Sequence, residues 1–107
     1  MANEDDYKLI YVGGMAIQCR KGWLEIVTNC YDELLKIDPD FTVAQIKEKF
    51  GTLRFYFDTR TELWDEMQAV VTKYEHMSAV TCEVCSAPGE CGKQKGYWIR
   101  TTCEAHR

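Results

Sequence analysis

Four side chains near the C-terminus that can bind a metal occur in two closely spaced pairs. Cys82 and Cys85 are separated by two residues, as are Cys103 and His106, and seventeen residues lie between the pairs. A two-residue gap lets both side chains of a tight turn reach one ion, and seventeen residues are enough for a hairpin that brings the chain back. The pattern predicts that three thiolates and one imidazole hold a zinc ion. Because protein then fills all four positions around the metal, the predicted zinc is structural.

The remaining cysteines allow more than one assignment of the ligands. They are Cys19, Cys30 and Cys91. Cys91 follows Cys85 by six residues in a turn-rich stretch, so it could replace His106 as the fourth ligand or remain an exposed thiol. Unliganded thiols or a disulfide bond would also fit the same spacing. The chain starts without the basic and apolar order of an export signal and has no membrane-spanning apolar run, so we expect a cytoplasmic protein with reduced cysteines.

Length and charge favour one domain and a protein partner. The 107 residues, 46% of them apolar, suit one packed core, so we expect a single domain over 1–107, with a helix and hairpin core at 1–80 and a zinc-knuckle module at 81–107. Seventeen acidic residues against thirteen basic ones give a formal charge of −4. Proteins that bind phosphate backbones usually have a strongly basic balance, so the composition disfavours direct nucleic-acid binding and favours a basic protein partner.

Apolar residues at helical intervals predict two amphipathic helices. The first begins at Trp23 and ends before residue 38. The second begins near Thr59 or Thr61, where Thr59 and Glu62 have the spacing of a capping box, and it ends near residue 78. The core-facing stripe predicted for this second helix consists of Leu63, Trp64, Met67, Val70, Val71, Tyr74 and Met77.

The segment 41–57 is predicted to form a β-hairpin, with a short helix as the alternative. β-Branched and aromatic residues on both sides of Phe50 and Gly51 favour the hairpin, whereas Thr42 and Gln45 could cap a helix. The residues expected to face the core from the second arm are Leu53, Phe55 and Phe57. With an apolar strand or arm at 9–12 and a returning strand at 96–102, the predicted class is α+β. Two helices pack with the hairpin, and a zinc-ribbon or treble-clef-like knuckle follows.

Nothing in the sequence indicates catalysis. If a metal takes His106, only His76 remains as a histidine base, and it lies in the last predicted helical turn, where a cation suits the helix dipole. Gly13 and Gly14 lack the pattern of a phosphate-binding loop. The sequence therefore predicts no enzyme, no catalytic residue and no small-molecule substrate.

One local basic cluster contrasts with the acidic composition. Lys47, Lys49 and Arg54 are interleaved with three aromatic residues, which are Phe50, Phe55 and Tyr56. The cluster has three interpretations: a hairpin with solvated lysines, a protein-binding face, or a face that stacks nucleic-acid bases on its rings. The third would make the chain a small zinc-finger regulator that binds DNA or RNA through this cluster and Tyr97-Trp98.

Several motifs together resemble a group of small phage and prophage proteins. They are Gly22-Trp23 at the start of the first helix, Lys47-Glu48-Lys49-Phe50-Gly51 followed by Leu53-Arg54-Phe55-Tyr56, Thr81-Cys82-Glu83-x-Cys85 with Pro88-Gly89, and Cys103-x-x-His106. The resemblance covers about residues 22–107. A glycine usually follows the second cysteine in this group, whereas this chain has Ser86 there.

The chain is also similar to the zinc-containing anti-CRISPR proteins that inhibit type II Cas9. This resemblance implies a phage anti-defence protein that binds Cas9 in the bacterial host cytosol and blocks target DNA loading by occlusion. An acidic body suits the basic surface that Cas9 offers to nucleic acid. The candidate partner-binding residues are Asp32, Glu33, Glu62, Asp65 and Glu66. A phage accessory protein with only a structural or scaffolding role is a third possibility.

Overall fold

The computed structural model describes residues 10–93 and 99–106. These residues form an α+β fold with two helices, a mixed four-stranded sheet and a two-stranded sheet, as the predicted class requires. The helices are α1 (Leu24–Ile37) and α2 (Trp64–Ser78). The strands are β1 (Tyr11–Val12), β2 (Met15–Gln18), β3 (Thr42–Lys49), β4 (Thr52–Asp58), β5 (Glu90–Lys93) and β6 (Ile99–Thr102).

The four-stranded sheet has the order β1-β2-β3-β4 and contains both kinds of pairing. β1 and β2 form a hairpin through Gly13 and Gly14, whose φ angles of 60° and 81° suit the two-residue turn that twisted strands favour. β2 then pairs in parallel with β3, with α1 as the crossover between them. The strand predicted at 9–12 is confirmed at Tyr11–Val12, and Leu9 lies outside the described residues. β2 was not predicted.

β3 and β4 form the antiparallel hairpin predicted for residues 41–57, which excludes the alternative helix capped by Thr42. The register shifts between Val43 and Gln45, as in a β-bulge, and the chain reverses at Phe50 and Gly51. The side chains of β4 that were predicted to face the core are buried, namely Leu53, Phe55 and Phe57. The alternation in the sequence therefore identified the inner face of this hairpin.

α1 confirms the first predicted helix. A single 3-10 turn at Lys21–Trp23 precedes it, and the Trp23 side chain is completely buried. Its inward side consists of Ile26, Val27, Cys30 and Leu34, all buried, so Cys30 fills the core like a small apolar residue. The helix ends at Ile37, and the N–H of Asp38 still donates to the Leu34 carbonyl at 2.9 Å.

α2 begins at Trp64, later than the predicted start at Thr59 or Thr61. The Thr59 hydroxyl donates to the Asp38 carboxylate at 2.6 Å and joins the loop before α2 to the end of α1. The Thr59 oxygen accepts the N–H of Thr61 at 3.2 Å, but Leu63 is the residue that precedes α2, and no side chain caps the helix. The predicted capping box of Thr59 with Glu62 is therefore wrong.

Only the middle of the predicted α2 stripe lies in the core. The buried residues are Met67, Val71 and Tyr74, and the half-buried ones are Leu63 and Val70. Trp64 and Met77, near the two ends of the helix, are 49% and 41% exposed. Periodicity identifies the inward side of a helix but not how far the elements opposite extend. In the described part of the chain, no helix has both the length and the apolar character needed to cross a bilayer.

One hydrophobic core fills the space between the inner face of the sheet and the two helices. Its fully buried members are Trp23, Val27, Cys30, Leu34, Ile46, Leu53, Met67 and Val71. Ile17 of β2 is paired with Ile46 of β3, so the parallel strand pair also contributes to this core. Burying one such aliphatic side chain stabilises the fold by about 1.5 to 3 kcal/mol, which makes this layer the main source of stability in residues 10–80.

Side chains of α2 satisfy the free edge of β4. The N–H of Leu53 donates to the Ser78 hydroxyl at 2.9 Å, and the N–H of Phe55 donates to the Glu75 carboxylate at 3.2 Å. These bonds occupy donors that would otherwise be open to another strand. Burial raises the pKa of Glu75, although the Phe55 N–H and the positive charge of Arg54 act in the opposite direction.

The C-terminal part contains the small sheet. β5 and β6 are antiparallel, with Cys91 opposite Thr101. The returning strand predicted at 96–102 is confirmed at Ile99–Thr102, whereas Gly96, Tyr97 and Trp98 lie outside the described residues.

Replacing Glu75 by glutamine tests the cost of its buried charge. Glutamine keeps an oxygen for the Phe55 N–H but has no charge, so we expect Glu75→Gln to raise the free energy of unfolding at pH 7. The raised pKa means that the folded wild-type protein binds a proton before the unfolded chain does, which relieves the penalty as the pH falls. The advantage of the variant should therefore shrink toward acid pH. Urea unfolding at matched pH values measures it, and a variant less stable than wild type at pH 7 would contradict the account.

Candidate metal centre

A tight turn presents Cys82 and Cys85. The N–H of Cys82 donates to the Ala87 carbonyl at 2.7 Å, and the N–H of Ser86 donates back to the Cys82 carbonyl at 2.9 Å. Thr81 and Pro88 form a β-bridge that closes the base of the turn. The two thiols are thus held by backbone hydrogen bonds on both sides, and the turn is fixed independently of the rest of the site.

Ser86 has the backbone conformation that glycine prefers. Its φ is 72°, in the left-handed region where a side chain is unfavourable. The Ser86 hydroxyl compensates by donating to the Gly22 carbonyl at 2.7 Å. Ser86 therefore lacks the backbone freedom of glycine but gains a hydrogen bond to the turn that precedes α1.

The second pair of donors follows β6. Thr102 ends this strand, and a 3-10 turn at Glu104–His106 brings the imidazole back toward Cys103. The N–H of His106 donates to the Cys103 carbonyl at 3.1 Å, and the His106 Nδ1 lies 3.1 Å from the Cys103 Sγ. The short turn makes these two side chains neighbours.

The four donor atoms lie in one group. All are within 4.8 Å of one another, with the Cys85 and Cys103 sulfurs 3.6 Å apart and the Cys82 Sγ 3.7 Å from the His106 Nδ1. Ligands at usual zinc bond lengths would be separated by about 3.8 Å between sulfurs and about 3.5 Å between sulfur and nitrogen in a tetrahedron. Cys82, Cys85, Cys103 and His106 could therefore hold a metal ion, as the spacing of the sequence predicted.

The turn also favours one thiolate. Burial opposes ionisation of Cys82, but backbone N–H groups of Cys103, Cys85 and Val84 outweigh it and lower its pKa to about 6. The N–H of Ala87 favours the Cys85 thiolate, yet desolvation and hydrogen bonds with Cys103 and Cys82 raise the pKa of Cys85. Neighbouring thiolates repel each other, so a cation between them is what allows all of them to ionise together.

The first contact between this site and the helical core includes a backbone hydrogen bond. The N–H of Gly22 donates to the Glu83 carbonyl at 2.7 Å, and the Trp23 indole donates to the Thr81 carbonyl at 2.9 Å. A Cβ at Gly22 would lie 2.3 Å from the Glu83 backbone, so only glycine allows this approach. The Arg20 N–H also donates to the buried Glu83 carboxylate at 3.2 Å, and burial raises the pKa of Glu83.

A second contact joins β6 to the tip of the β3–β4 hairpin. The Thr101 hydroxyl donates to the Gly51 carbonyl at 2.5 Å, and the Thr101 carbonyl accepts the N–H of Glu83 at 3.0 Å. Gly51 has a φ of 83°, and a Cβ there would lie 3.2 Å from the Arg100 backbone. Thr101 thus connects the hairpin tip, β6 and the turn that carries Cys82.

The other cysteines lie away from the metal-binding group. Cys91 is exposed, and its Sγ contacts the Phe50 carbonyl at 3.8 Å, so the geometry favours His106 as the fourth donor. Burial raises the pKa of Cys19 and of Cys30 to about 12, which keeps both thiols protonated.

The predicted partner-binding acids have different surroundings. Asp32, Glu62, Asp65 and Glu66 are exposed, whereas Glu33 is half-buried. Glu33 forms a salt bridge of 2.8 Å with Lys73 of α2, and this neighbour lowers the pKa of Glu33. Glu33 therefore joins the two helices, and the other four acids are the ones accessible to a partner.

Sequence reasoning identified the four donors but not the residues that dock them. The sequence predicted no docking role for Gly22, Gly51 or Thr101. The available signals were a glycine before a tryptophan (Gly22) and a glycine after an aromatic residue at a predicted hairpin tip (Gly51). Neither signal names its partner, because Glu83 and Arg100 are far away in the sequence.

Adding one methyl group at Gly22 tests the docking contact. Alanine would place its Cβ against the Glu83 backbone, which cannot move without displacing the turn that carries Cys82. We expect Gly22→Ala to lower the free energy of unfolding by about 3 kcal/mol or more, as in severe overpacking. Gly92→Ala is the matched control, because a Cβ at Gly92 has nothing within 4 Å. Equal stability of the two variants would contradict the close approach.

Removing single thiols tests the ligand set. We expect Cys82→Ser to lose the tightly bound metal ion and to unfold more easily, since binding energy of a structural metal is folding energy. Cys91→Ser should keep one metal ion per chain and the thermal midpoint of the wild type. Elemental analysis and thermal unfolding measure both effects. Metal retained by Cys82→Ser, or lost by Cys91→Ser, would overturn the assignment.

Comparisons of this chain with protein-family models, with curated proteins and with solved structures found no match. The placement of the four donors and the chemistry of the exposed surfaces are therefore the basis for what this protein can do.

Proposed function

We propose that the four donors bind Zn²⁺ as a structural ion and that the protein acts by binding another protein, without catalysing a reaction. Three thiolates and an imidazole are soft donors that suit zinc, and four of them complete its usual tetrahedron. A catalytic zinc needs a position for water, which this donor set does not leave. The closed donor set at Cys82, Cys85, Cys103 and His106 is the observation that carries the proposal.

The arrangement around the donors supports a zinc-ribbon or treble-clef-like knuckle. Two donors come from a tight turn, the β5–β6 hairpin follows, and the last two donors come from the end of β6 and the 3-10 turn after it. In small zinc peptides such an ion contributes on the order of 10 kcal/mol to folding. We infer that the metal fixes this end of the chain against α1 and the hairpin.

An exposed tryptophan in acidic surroundings supports a basic protein partner. Trp64 stacks on Phe57, with ring centroids 5.9 Å apart and an interplanar angle of 25°, while 49% of its surface remains exposed. Glu62, Asp65 and Glu66 surround it in sequence and are all exposed. Energetically important interface residues are often aromatic side chains within a polar rim, and arginine packs well on tryptophan. We call the set of Glu62, Trp64, Asp65 and Glu66 the Trp64 patch.

The partner we propose is Cas9 of the bacterial host, as the resemblance to anti-CRISPR proteins implies. The channel that holds guide and target nucleic acid in Cas9 is positively charged, so the Trp64 patch has the complementary charge. Occupying that channel would exclude target DNA. Asp32 on α1 adds a further exposed negative charge on the helical side of the molecule.

Co-elution with Cas9 tests this proposal. We expect the protein to co-elute with guide-loaded Cas9 at low salt, to dissociate as salt rises, and to inhibit target cleavage. Trp64→Ala should weaken binding by about tenfold or more, as for a residue at the centre of an interface. Met77→Ala is the control, because Met77 is similarly exposed at the other end of α2. Separate elution at low salt together with unhindered cleavage would exclude Cas9 as the target.

A further inference from the structure

The outer side of the β3–β4 hairpin carries aromatic and cationic side chains away from the core. We define the hairpin face as Lys47, Lys49, Phe50, Arg54 and Tyr56. Phe50 at the tip is 64% exposed, and Tyr56 is 44% exposed, whereas the alternate residues of β4 are buried. The face lies on the side of the sheet opposite to α1 and α2, so neither helix covers it.

Phe50 has a backbone conformation that a bulky residue rarely adopts. Its φ is 54°, and with Gly51 at 83° it forms a two-residue turn of the kind that asparagine and glycine fill best. The phenylalanine therefore costs stability relative to asparagine. Since its ring is largely exposed, burial in the core does not compensate for this strain. Strained exposed residues of this kind indicate a functional constraint.

The positions of the cations on the hairpin face do not favour the stability of the fold. Lys47 is directly opposite Arg54 in the strand register, and like charges in that position repel. Neither Lys47 nor Arg54 forms a salt bridge within residues 10–93 and 99–106. The Arg54 Nε is shielded from solvent, and the positive charge of Arg54 acts on the Glu75 carboxylate. Lys47 and Lys49 are therefore the cations of the hairpin face that are available to an anionic ligand.

We propose that the hairpin face binds single-stranded nucleic acid. Each aromatic ring has an ammonium group beside it: Lys47 Nζ is 5.9 Å from the Tyr56 ring centroid, and Lys49 Nζ is 5.6 Å from that of Phe50. Bases stack on the rings of Phe50 and Tyr56, and the neighbouring cations contact the phosphates. Bases that remain paired in a duplex cannot reach such rings, so the ligand is single-stranded.

The acidic composition does not contradict a local site of this kind. Formal net charge describes the whole chain, whereas the phosphates of a short strand experience the charges within about 10 Å at physiological salt. Glu48 is opposite the buried Leu53, on the other side of the sheet from the hairpin face, and its carboxylate accepts the Gly51 N–H at 2.8 Å. The carboxylate on the outer side of β4, Asp58, lies at the end of the strand remote from Phe50. The Trp64 patch contacts Phe57 at that same remote end, so this site is separate from the proposed protein-binding patch and does not depend on it.

Fluorescence anisotropy with labelled dT15 and rU15 oligonucleotides tests the site, using the full chain purified with its metal. We expect saturable binding at low salt that weakens as salt rises. Phe50→Asn should bind about tenfold more weakly, because one base loses its stacking partner. The same variant should unfold at a higher temperature, since asparagine suits the turn, so weaker binding would not reflect unfolding. Lys36→Ala, on the exposed side of α1, is the matched charge control and should bind like the wild type.

A second variant tests the phosphate contacts. Replacing both Lys47 and Lys49 by glutamine should reduce the slope of log affinity against log salt by about 1.4, since two phosphate contacts are lost. Three results would overturn the proposal: no binding of either oligonucleotide at low salt, unchanged affinity of Phe50→Asn, or duplex DNA bound as tightly as the single strand. Competition by poly-glutamate as effective as by dT15 would also overturn it, because the face would then recognise acidic protein instead.

Discussion

The backbone contact between Gly22 and Glu83 is the constraint on which the relation between the two parts of the protein depends. It places the turn that carries Cys82 directly against the start of α1, with the buried Trp23 indole bonded beside it. A metal ion held by the turn therefore acts on the helical core as well as on the C-terminal part. Conversely, packing of Trp23 in the core positions one half of the metal site, so metal affinity and core stability should be linked.

The contact between Thr101 and Gly51 fixes the module from the other side. It holds the hairpin tip, where Phe50 is exposed in a strained conformation, against β6. β6 thus supports the geometry of the hairpin face. The Trp64 patch lies near the opposite end of β4 and has the opposite charge. The fold therefore presents two chemically different surfaces, and the acidic net charge of the chain describes only one of them.

Features set by local spacing could be predicted from the sequence. The paired donors, the stripe of α1 and the alternation of β4 all follow from residues that are near one another. Features that depend on a remote partner could not. β2 is four residues long and is held by parallel pairing with β3, which only the α1 crossover makes possible. α2 begins at Trp64 instead of near Thr59 or Thr61, and the Thr59 hydroxyl is bonded to Asp38, which lies 21 residues earlier in the chain.

The exposure of Trp64 illustrates the same limit. Its position fits the apolar stripe of α2, and its ring stacks on Phe57, yet 49% of its surface remains exposed. Hydrophobic periodicity contains no information about where the opposing layer ends. Gly22 belongs to a sequence motif, but the motif does not identify the Glu83 carbonyl, whose close approach only glycine allows. The roles of Trp64 and Gly22 depend on neighbours from distant segments, which a local sequence pattern does not identify.

X-ray absorption spectroscopy of the metal-loaded protein would identify the atoms bound to the ion. We predict a zinc edge with a first shell of three sulfur atoms at about 2.3 Å and one nitrogen at about 2.0 to 2.1 Å, and no oxygen ligand. A first shell containing a water oxygen, four sulfur atoms, or fewer than three sulfur atoms would contradict the closed donor set of Cys82, Cys85, Cys103 and His106.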